Sequence, residues 1–335
     1  MPGAICIYED RIEEEVGIRI LISSLRRYNP NLEIFAFLPN ATDDLSNWLK
    51  NIPLVRRFTL TEGSPSGWNI KPDLLQKALE FADAAVWIDS DIMVTAPIAD
   101  QFFDPTAPRI IVAEEALWAR DRSDGGRRAK AWDLQPERLL ESGVNSCVVA
   151  VNRSHLPLLE RWKELLGDTR YVTAQKGNYL DRPFHLFGDQ DLLTVVLSTA
   201  PFHKTPLEML RIGKGITQCF GLFGFTPGER VRWLGRGPTL FIHSQGPKPW
   251  RRQNMTKATL VQSLDLIYRD TSPYTLIARS YSSDLAGSDW TKPRTRLGGL
   301  SRLAGFGSIA LSGFPIALVG EAWRLWKVVR DRAPR

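Results

Sequence analysis

The chain has 335 residues, 43% of them hydrophobic, which is enough to bury one large core together with an appendage. Its formal net charge of +6 comes from segment 290–335, which holds nine basic and two acidic residues; the remainder is nearly neutral, so the charge does not indicate a nucleic-acid-binding core. Three widely separated cysteines and four histidines without zinc spacing exclude a disulfide framework and a structural zinc site, and they indicate reduced thiols in the cytosol.

The N-terminal part of the chain alternates between apolar strands and amphipathic helices. In chain order, the patterns predict strand 4–8, helix 12–27, strand 32–38, a helix that begins at Thr42, a strand near 54–60, helix 72–82 and strand 85–89. This order predicts an α/β fold with a mostly parallel sheet flanked by helices and with ligands outside the carboxyl ends of the strands. The glycine patterns of a dinucleotide fold and of a P-loop do not occur, so phosphate recognition must depend on a metal and on Lys or Arg side chains.

Two carboxylates follow the apolar run of the strand at 85–89. Asp89 and Asp91 are two residues apart, and residues i and i+2 of a strand point to the same side, so both can hold one divalent cation. His243 ends a second apolar run, 239–244, and a neutral histidine is a suitable third ligand for Mn²⁺. The alternatives are a solvated turn for the carboxylate pair and a core histidine for His243.

The segment His-Ser-Gln-Gly-Pro-Lys-Pro-Trp begins at His243. Its Gly246 lets the backbone approach a ligand closely, and its Lys248 can neutralise a phosphate. The segment resembles the His-X-X-Gly-X-Lys-Pro-Trp motif of the retaining glycosyltransferases of family 8, in which Asp89-Ser90-Asp91 would be the metal-binding motif. The resemblance spans about residues 4–250. It implies a GT-A-like fold, Mn²⁺ or Mg²⁺ as cofactor, and transfer of a hexose from a nucleotide diphosphate sugar with retention at the anomeric carbon.

Two further segments are similar to donor-sugar motifs of that family. The apolar strand pattern around Asn145 resembles the family's strand in which an Asn faces the donor sugar. The sequence Gly-Asp-Gln-Asp at 188–191 resembles the segment in which Asp189 would hold sugar hydroxyls and Gln190 would lie beneath the anomeric carbon. These two are the candidate catalytic residues, and Gln190, an amide, cannot be the strong base that an inverting mechanism needs. The alternatives are an ordinary buried strand and a helix N-cap in which Asp191 favours the dipole.

The remaining candidate donor contacts lie upstream. Lys71 precedes helix 72–82 and either points at the diphosphate or is a solvated lysine at the helix start. After the first strand the family carries an Ala-Ala-Asp-Asp-X-X-Tyr-like segment, whereas this chain has Tyr8, Glu9 and Asp10. These three residues are the candidates for the base and ribose, and Ser90 completes the donor-binding set. Because of this departure the base stays open, with UDP as the family default.

The chain changes composition near residue 290. Basic residues flank the uncharged stretch 303–320, which at 18 residues is at the short limit for a bilayer span and does not favour one. Beyond it, helical spacing sets Trp323 and Trp326 opposite basic residues, as in helices that lie in a membrane interface; a helix packed on the catalytic domain is the alternative. We expect three segments, which are a glycosyltransferase domain 1–250, a helical extension 251–290 and a membrane-associating tail 291–335.

Together these patterns predict a metal-dependent retaining glycosyltransferase that acts on a glycan or lipid-linked acceptor in polysaccharide assembly. The N-terminus has no basic-then-apolar leader, so we expect a cytoplasmic enzyme that is peripheral on the inner face of the cell membrane. Two alternatives remain. One is a haloacid-dehalogenase-type phosphohydrolase with Asp89 as nucleophile and Asp91 as acid. The other is an inert membrane adaptor that keeps a sugar-nucleotide fold for binding.

Overall fold

The chain divides into two compact units in the computed structural model. The described residues are 3–60, 65–104, 106, 108–115, 124–221, 224–246, 248–251, 259–285, 287, 289–293 and 295–332, with the backbone alone described at 261 and 327–332. The first unit comprises Met1–Glu15, Asn29–Ser90 and Pro97–Arg211. The second comprises Val16–Tyr28, Asp91–Ala96 and Ile212–Arg335.

The described residues form strands and helices along the whole chain. The ten strands are β1 (Ala4–Tyr8), β2 (Glu33–Phe37), β3 (Val55–Arg57), β4 (Ala84–Ile88), β5 (Ile92–Val94), β6 (Ile110–Glu114), β7 (Val144–Asn152), β8 (Leu207–Leu210), β9 (Ile216–Gln218) and β10 (Phe241–His243). The thirteen α-helices are α1 (Glu15–Tyr28), α2 (Asp43–Lys50), α3 (Lys71–Leu79), α4 (Ala99–Phe102), α5 (Arg127–Ala131), α6 (Leu156–Leu166), α7 (Thr169–Gln175), α8 (Asp189–Ser198), α9 (Pro227–Arg236), α10 (Leu260–Thr271), α11 (Pro273–Ala278), α12 (Arg296–Ala304) and α13 (Phe314–Arg332).

The first unit is built on a seven-stranded sheet with the strand order β3-β2-β1-β4-β7-β6-β8. Neighbouring strands are parallel except at β7, which is antiparallel to β4 and to β6. Every residue of β4 and of β7 is buried, which explains their continuous apolar sequences, because a strand covered on both faces does not alternate. The predicted α/β fold with a mostly parallel sheet flanked by helices is confirmed.

Three helices cover one face of this sheet and form its core. Apolar side chains of α3, α6 and α8 pack with those of the strands in one buried cluster. Its largest members include Trp87 of β4, Trp162 of α6 and Tyr171 of α7, all fully or almost fully buried. Elsewhere in the unit, the predicted start of α2 is confirmed, because the Thr42 hydroxyl accepts the backbone N–H of Leu45.

The second unit contains a three-stranded sheet with the order β5-β10-β9. Strand β10 is antiparallel to β5 and parallel to β9. Its core joins these strands to α1, α9, α11 and residues further along the chain, and the buried members are Ile20, Met93, Cys219, Phe225, Trp233, Ile242, Tyr274, Ala278, Tyr281, Leu285, Trp290 and Ala310. The three cysteines are buried thiols outside any disulfide, as their spacing predicts.

The first part of the basic C-terminal segment packs into this second core. Trp290 and Ala310 are core residues, and the fully buried Arg230 donates hydrogen bonds to the carbonyl oxygens of Ala310 and Ser312 at 3.1 and 2.5 Å. Arg302 donates to two further carbonyl oxygens of the unit. The described residues between 290 and 313 therefore belong to the folded unit, and a cut at Asp289 would open its core. Among the described helices, none has both the length and the apolar content that a membrane crossing requires.

Candidate functional site

Asp89 lies at the carboxyl end of β4, in the first unit. Its backbone N–H donates to the carbonyl oxygen of Cys147 on β7 at 2.9 Å, which holds the residue at the end of the sheet. Trp87 and Asp89 point to the same side of the chain, and the Trp87 indole N–H donates to Asp89 Oδ1 at 2.6 Å. The carboxylate is thus fixed at the sheet edge where an α/β fold binds ligands.

Lys71 joins Asp89 to the segment that begins at Asp189. Its side chain is buried, and its Nζ lies 3.0 Å from Asp89 Oδ1 and 3.5 Å from Asp189 Oδ2. The same ammonium donates to the hydroxyl and the carbonyl oxygen of Ser146 at 2.9 and 3.2 Å. Burial lowers the pKa of Lys71, but the charges of Asp189 and Asp89 outweigh it and raise this pKa above its ordinary value. The alternative of a solvated lysine at the helix start is therefore wrong.

Asp189 is the first residue of α8 and is buried. Its Oδ2 accepts the Ser146 hydroxyl at 2.6 Å, and its backbone carbonyl accepts the Trp162 indole N–H at 2.9 Å. Burial raises the pKa of Asp189, and the charge of Lys71 and the hydroxyl of Ser146 offset part of that rise. Two contacts on the carboxylate and one on the backbone hold the start of α8, where the half-buried Gln190 follows.

Sequence reasoning selected Asn145 but missed its neighbour Ser146. The carboxamide oxygen of Asn145 accepts the backbone N–H of Cys147 at 3.0 Å, whereas Ser146 makes the contacts to Lys71 and Asp189. Successive residues of a strand point to opposite faces of the sheet. A motif that assigns Asn145 to the donor sugar therefore gives no information about what its neighbour Ser146 contacts. The assignment of Asn145 to the donor sugar stays a prediction.

The residues predicted for the base and ribose separate into two groups. Tyr8 and Asp10 form the first, in which the Tyr8 hydroxyl donates to Asp10 Oδ2 at 2.8 Å and the backbone N–H of Gly67 donates to the same oxygen at 3.1 Å. Burial and the neighbouring Asp10 raise the pKa of Tyr8, so its hydroxyl remains a donor at neutral pH.

Glu9 forms the second group and contacts the metal motif instead. The Ser90 hydroxyl donates to Glu9 Oε2 at 2.6 Å, and the Arg11 guanidinium donates to both Glu9 oxygens at 2.7 and 2.8 Å. Glu9 is buried, and this bidentate pair fixes its orientation. Glu9 therefore holds the central residue of Asp89-Ser90-Asp91.

Asp91 and His243 meet in the second unit. The antiparallel pairing of β5 with β10 sets His243 opposite Ile92, and the backbone N–H of Ser244 donates to the Asp91 carbonyl at 3.0 Å. His243 Nε2 lies 3.4 Å from Asp91 Oδ1, and Lys248 donates to Asp91 Oδ2. Burial raises the pKa of Asp91, but Lys248 and His243 outweigh it and hold this pKa well below its ordinary value.

Gly246 lies between these residues in the chain and has a backbone conformation that favours glycine. Its φ is +82°, in the left-handed region, and a Cβ there would lie 3.1 Å from the ring of Phe220. Lys248 is held nearby by a hydrogen bond to the carbonyl oxygen of Ser244 at 2.9 Å. The local structure thus explains why position 246 is a glycine, and it shows what orients the side chain of Lys248.

Of the cation ligands that the sequence predicts, Asp89 lies in the first unit, whereas Asp91 and His243 lie in the second. Two carboxylates and one imidazole are a donor set that suits Mn²⁺ or Mg²⁺. In the second unit, the Lys248 ammonium contacts Asp91, and this positive charge helps to keep the pKa of Asp91 low. The carboxylate is therefore ionised and lies in a place that attracts cations. The residues present therefore fit a divalent cation.

The chain was compared with known proteins. No protein-family profile matches it, and no curated protein matches it. Among solved structures it is similar to the apo form of the bifunctional glycosyltransferase WbbM, with a TM-score of 0.51 and 13% identity over 85% of this chain and 52% of WbbM, so it spans about half of that protein. It is also similar to an active-site mutant of LgtC, with a TM-score of 0.50 and 12% identity over 84% of this chain and 100% of that one.

A complex of the galactosyltransferase LgtC with donor and acceptor sugar analogs gives a TM-score of 0.46 and 12% identity over 74% of this chain and 90% of that one. At such identities, structural similarity establishes the fold alone. The similarity to WbbM and to the LgtC mutant shows that the chain has the GT-A fold of these glycosyltransferases.

Proposed function

We propose that this protein is a metal-dependent retaining glycosyltransferase that moves a hexose from a nucleotide diphosphate sugar to a glycan or lipid-linked acceptor. The observation that carries the proposal is the contact of Lys71 with both Asp89 and Asp189. It joins the predicted metal motif to the predicted donor-sugar motif, which lie 100 residues apart in the sequence. The chain shares the GT-A fold of WbbM and LgtC, and this fold supports glycosyl transfer as the reaction class.

Asp89, Asp91 and His243 are the proposed cation ligands. A bound Mn²⁺ or Mg²⁺ would supply positive charge to offset the charge that develops on the leaving diphosphate. Lys248 adds a second positive charge that is already held beside Asp91. Gly246 is proposed as the point at which the backbone approaches a phosphate, because glycine has no side chain that would stand in the way.

Asp189 is proposed to orient the donor sugar by accepting hydrogen bonds from its hydroxyls. An isolated buried carboxylate would take up a proton, and Lys71 opposes this by stabilising the ionised form. Gln190 is proposed to lie beneath the anomeric carbon, where its amide oxygen can stabilise developing positive charge without acting as a strong base. Retention of configuration is what the family resemblance implies, and the lack of a strong base at Gln190 agrees with it.

The finer proposals concern the nucleoside and the location. Tyr8 and Asp10 are proposed to contact the base, with UDP as the donor nucleotide, and Asn145 is proposed to face the sugar. Helix α13 exposes Trp323 and Trp326 beside an excess of basic residues, which supports association with an anionic membrane surface. We propose a cytoplasmic enzyme held at the inner face of the cell membrane, where it meets a lipid-linked acceptor.

Thermal unfolding with a panel of UDP-, GDP- and CMP-sugars, each with Mn²⁺ or with EDTA, tests the proposal. A ligand that binds only the folded state adds about 2.7 kcal/mol of stability at about 100 times its Kd. We expect at least one sugar nucleotide to stabilise the protein, and only with the cation. The proposal fails if none stabilises it. Phosphate release from simple monoesters would instead support the phosphohydrolase alternative.

A further inference from the structure

A second buried charge cluster lies in the first unit, around Arg128 of α5. The guanidinium donates from Nε to Asp191 at 2.8 Å, from one terminal nitrogen to Asp124 at 3.0 Å, and from the other to both oxygens of Glu115 at 3.0 Å. All four residues are buried. Three carboxylates therefore share one guanidinium, whose planar fork of five N–H groups is the one side chain able to serve them together.

Each acidic residue of this cluster also contacts the backbone of a chain segment. Glu115 follows β6, and its backbone N–H donates to the carbonyl oxygen of Gly143 at 3.0 Å. Asp191 accepts the N–H of Gly188 at 2.9 Å, at the start of α8. Asp124 accepts an N–H of the turn that leads into α5. Arg128 is thus the common partner of three chain segments.

The cluster packs directly against the backbone at Gly143. A Cβ at this position would lie 2.1 Å from Glu115 Oε2 and 2.9 Å from a terminal nitrogen of Arg128. The close approach is possible because glycine has no side chain. Gly143 precedes Asn145 and Ser146 by two and three residues, so the cluster touches the start of the strand that carries them.

We propose that Arg128 is a positioning residue that fixes the strand start at 143–146 against the helix start at 188–191. The first segment carries Ser146 and the second carries Asp189, and these two side chains meet in a hydrogen bond of 2.6 Å. Arg128 acts on this contact through Glu115 and Asp191. That the contact binds a donor sugar rests on the proposed function, whereas the positioning itself does not.

The charge balance of the cluster makes this positioning depend on pH. Burial raises the pKa of Asp191 to about 7, with Arg128 opposing the rise and Glu115 adding to it. Burial raises the pKa of Glu115 as well. Asp124, Tyr171, Tyr179 and His185 also interact electrostatically with groups of this cluster. The folded protein holds the proton of Asp191 more tightly than the unfolded chain does. Its stability is therefore greatest when the pH is below the ordinary aspartate pKa, and it falls as the pH rises from there to about 7.

The first test uses Arg128→Lys, which keeps the charge and loses the fork, with the exposed Arg161→Lys as the matched control. Hydrogen exchange of the Gly188 and Glu115 amides should accelerate by about tenfold or more in the first variant and stay unchanged in the control. This readout needs no substrate. Unchanged exchange at both amides would overturn the proposal, even if the protein proves to be an active glycosyltransferase.

The second test separates positioning from general damage. When the assay uses a nucleotide sugar that the wild-type enzyme consumes, Arg128→Lys should lower kcat by about tenfold. The Kd for the nucleoside diphosphate with Mn²⁺ should change by less than about twofold. An equal loss in both would overturn the proposal.

Should Arg128→Lys fail to fold, Asp191→Asn takes its place. That variant should remove the loss of stability that wild type shows between about pH 4 and 7, and an unchanged pH profile would overturn the proposal.

Discussion

Lys71 is a buried cation whose two carboxylate partners come from different parts of the sequence. Asp89 follows β4 and Asp189 begins α8, and the Lys71 ammonium contacts both. Burying a charge is costly unless it is paired and hydrogen-bonded, so the three groups stabilise the fold only together. The same arrangement keeps Asp189 available as an acceptor for sugar hydroxyls in the proposed reaction.

The Lys71→Met variant should therefore lose both stability and activity. Removing the cation leaves the buried Asp189 and the partly exposed Asp89 without their partner, which is expected to lower the free energy of unfolding by about 3 to 5 kcal/mol. Urea unfolding measures this change, with the exposed Lys163→Met as the control. Adding Asp189→Asn to Lys71→Met should recover part of the loss, because one uncompensated charge is removed. A loss of stability no larger than that of the control would show that the pairing is unimportant.

The Asp91→Asn variant addresses the proposed cation. Asparagine keeps the size of the side chain but removes the charge that Lys248 and His243 contact. We expect the fold to persist, while Mn²⁺-dependent binding of the nucleoside diphosphate and sugar transfer both disappear. Calorimetric titration and a transfer assay measure these effects, with the exposed Asp289→Asn as the control. Full activity of Asp91→Asn, or of wild type in EDTA, would remove the metal from the account.

At the scale of elements, the patterns located strands and helices closely but left their directions undetermined. Strand β4 was predicted at 85–89 and lies at Ala84–Ile88, because a continuous apolar run reports burial on both faces. The same kind of run gives no sign that β7 is antiparallel to its neighbours. Direction is set by the connections between elements, which apolar periodicity does not record.

Site residues that belong to a local sequence motif could be predicted from the sequence. Contacts between residues that are far apart in the chain could not. Asp89, Asp91 and His243 follow from local motifs. The Arg128 cluster does not, because its partners Glu115 and Asp191 are 13 and 63 residues away in the chain. A charged residue beside glycines looks like a solvated loop until the fold brings carboxylates to it.

The C-terminal elements lead to a prediction about truncation. A chain ending at Asp289 lacks the core residues Trp290 and Ala310 and leaves the buried Arg230 without two of its carbonyl partners. It should be insoluble or should melt without cooperativity, because a buried cation without acceptors is costly. A chain ending at Gly320 keeps these contacts and should melt cooperatively. Circular dichroism during heating measures both, and cooperative melting of the shorter chain would contradict this packing.

At the scale of the molecule, exposed apolar side chains concentrate in the last part of the second unit. Large exposed apolar residues of this region are Leu297, Leu300, Leu303, Phe306, Leu311, Leu318, Val319, Trp323, Leu325 and Trp326. Such clusters mark interaction surfaces in soluble proteins. The excess of basic residues in the same segment favours an anionic surface as the partner, as the composition predicts.

Sedimentation with anionic liposomes should reveal this association. Each basic residue near the surface contributes about 1 kcal/mol, and salt screens that contribution, so binding should weaken as salt rises. Replacing Trp323 and Trp326 by Ala should weaken it further at every salt concentration, because apolar burial is lost. The exposed Trp68→Ala is the matched control. If the wild-type protein ignores anionic liposomes at low salt, the apolar surface has another partner.

Proton NMR of a reaction that contains the protein, Mn²⁺, an α-linked nucleotide sugar and a sugar acceptor tests retaining glycosyl transfer most directly. We expect the nucleotide sugar to be consumed only when the cation is present, and the new glycosidic bond to carry the anomeric signal of an α-linkage. Asp91→Asn should leave the donor unchanged under the same conditions. A β-linked product would contradict the retaining assignment, and an unchanged donor across UDP-, GDP- and CMP-sugars would contradict glycosyl transfer itself.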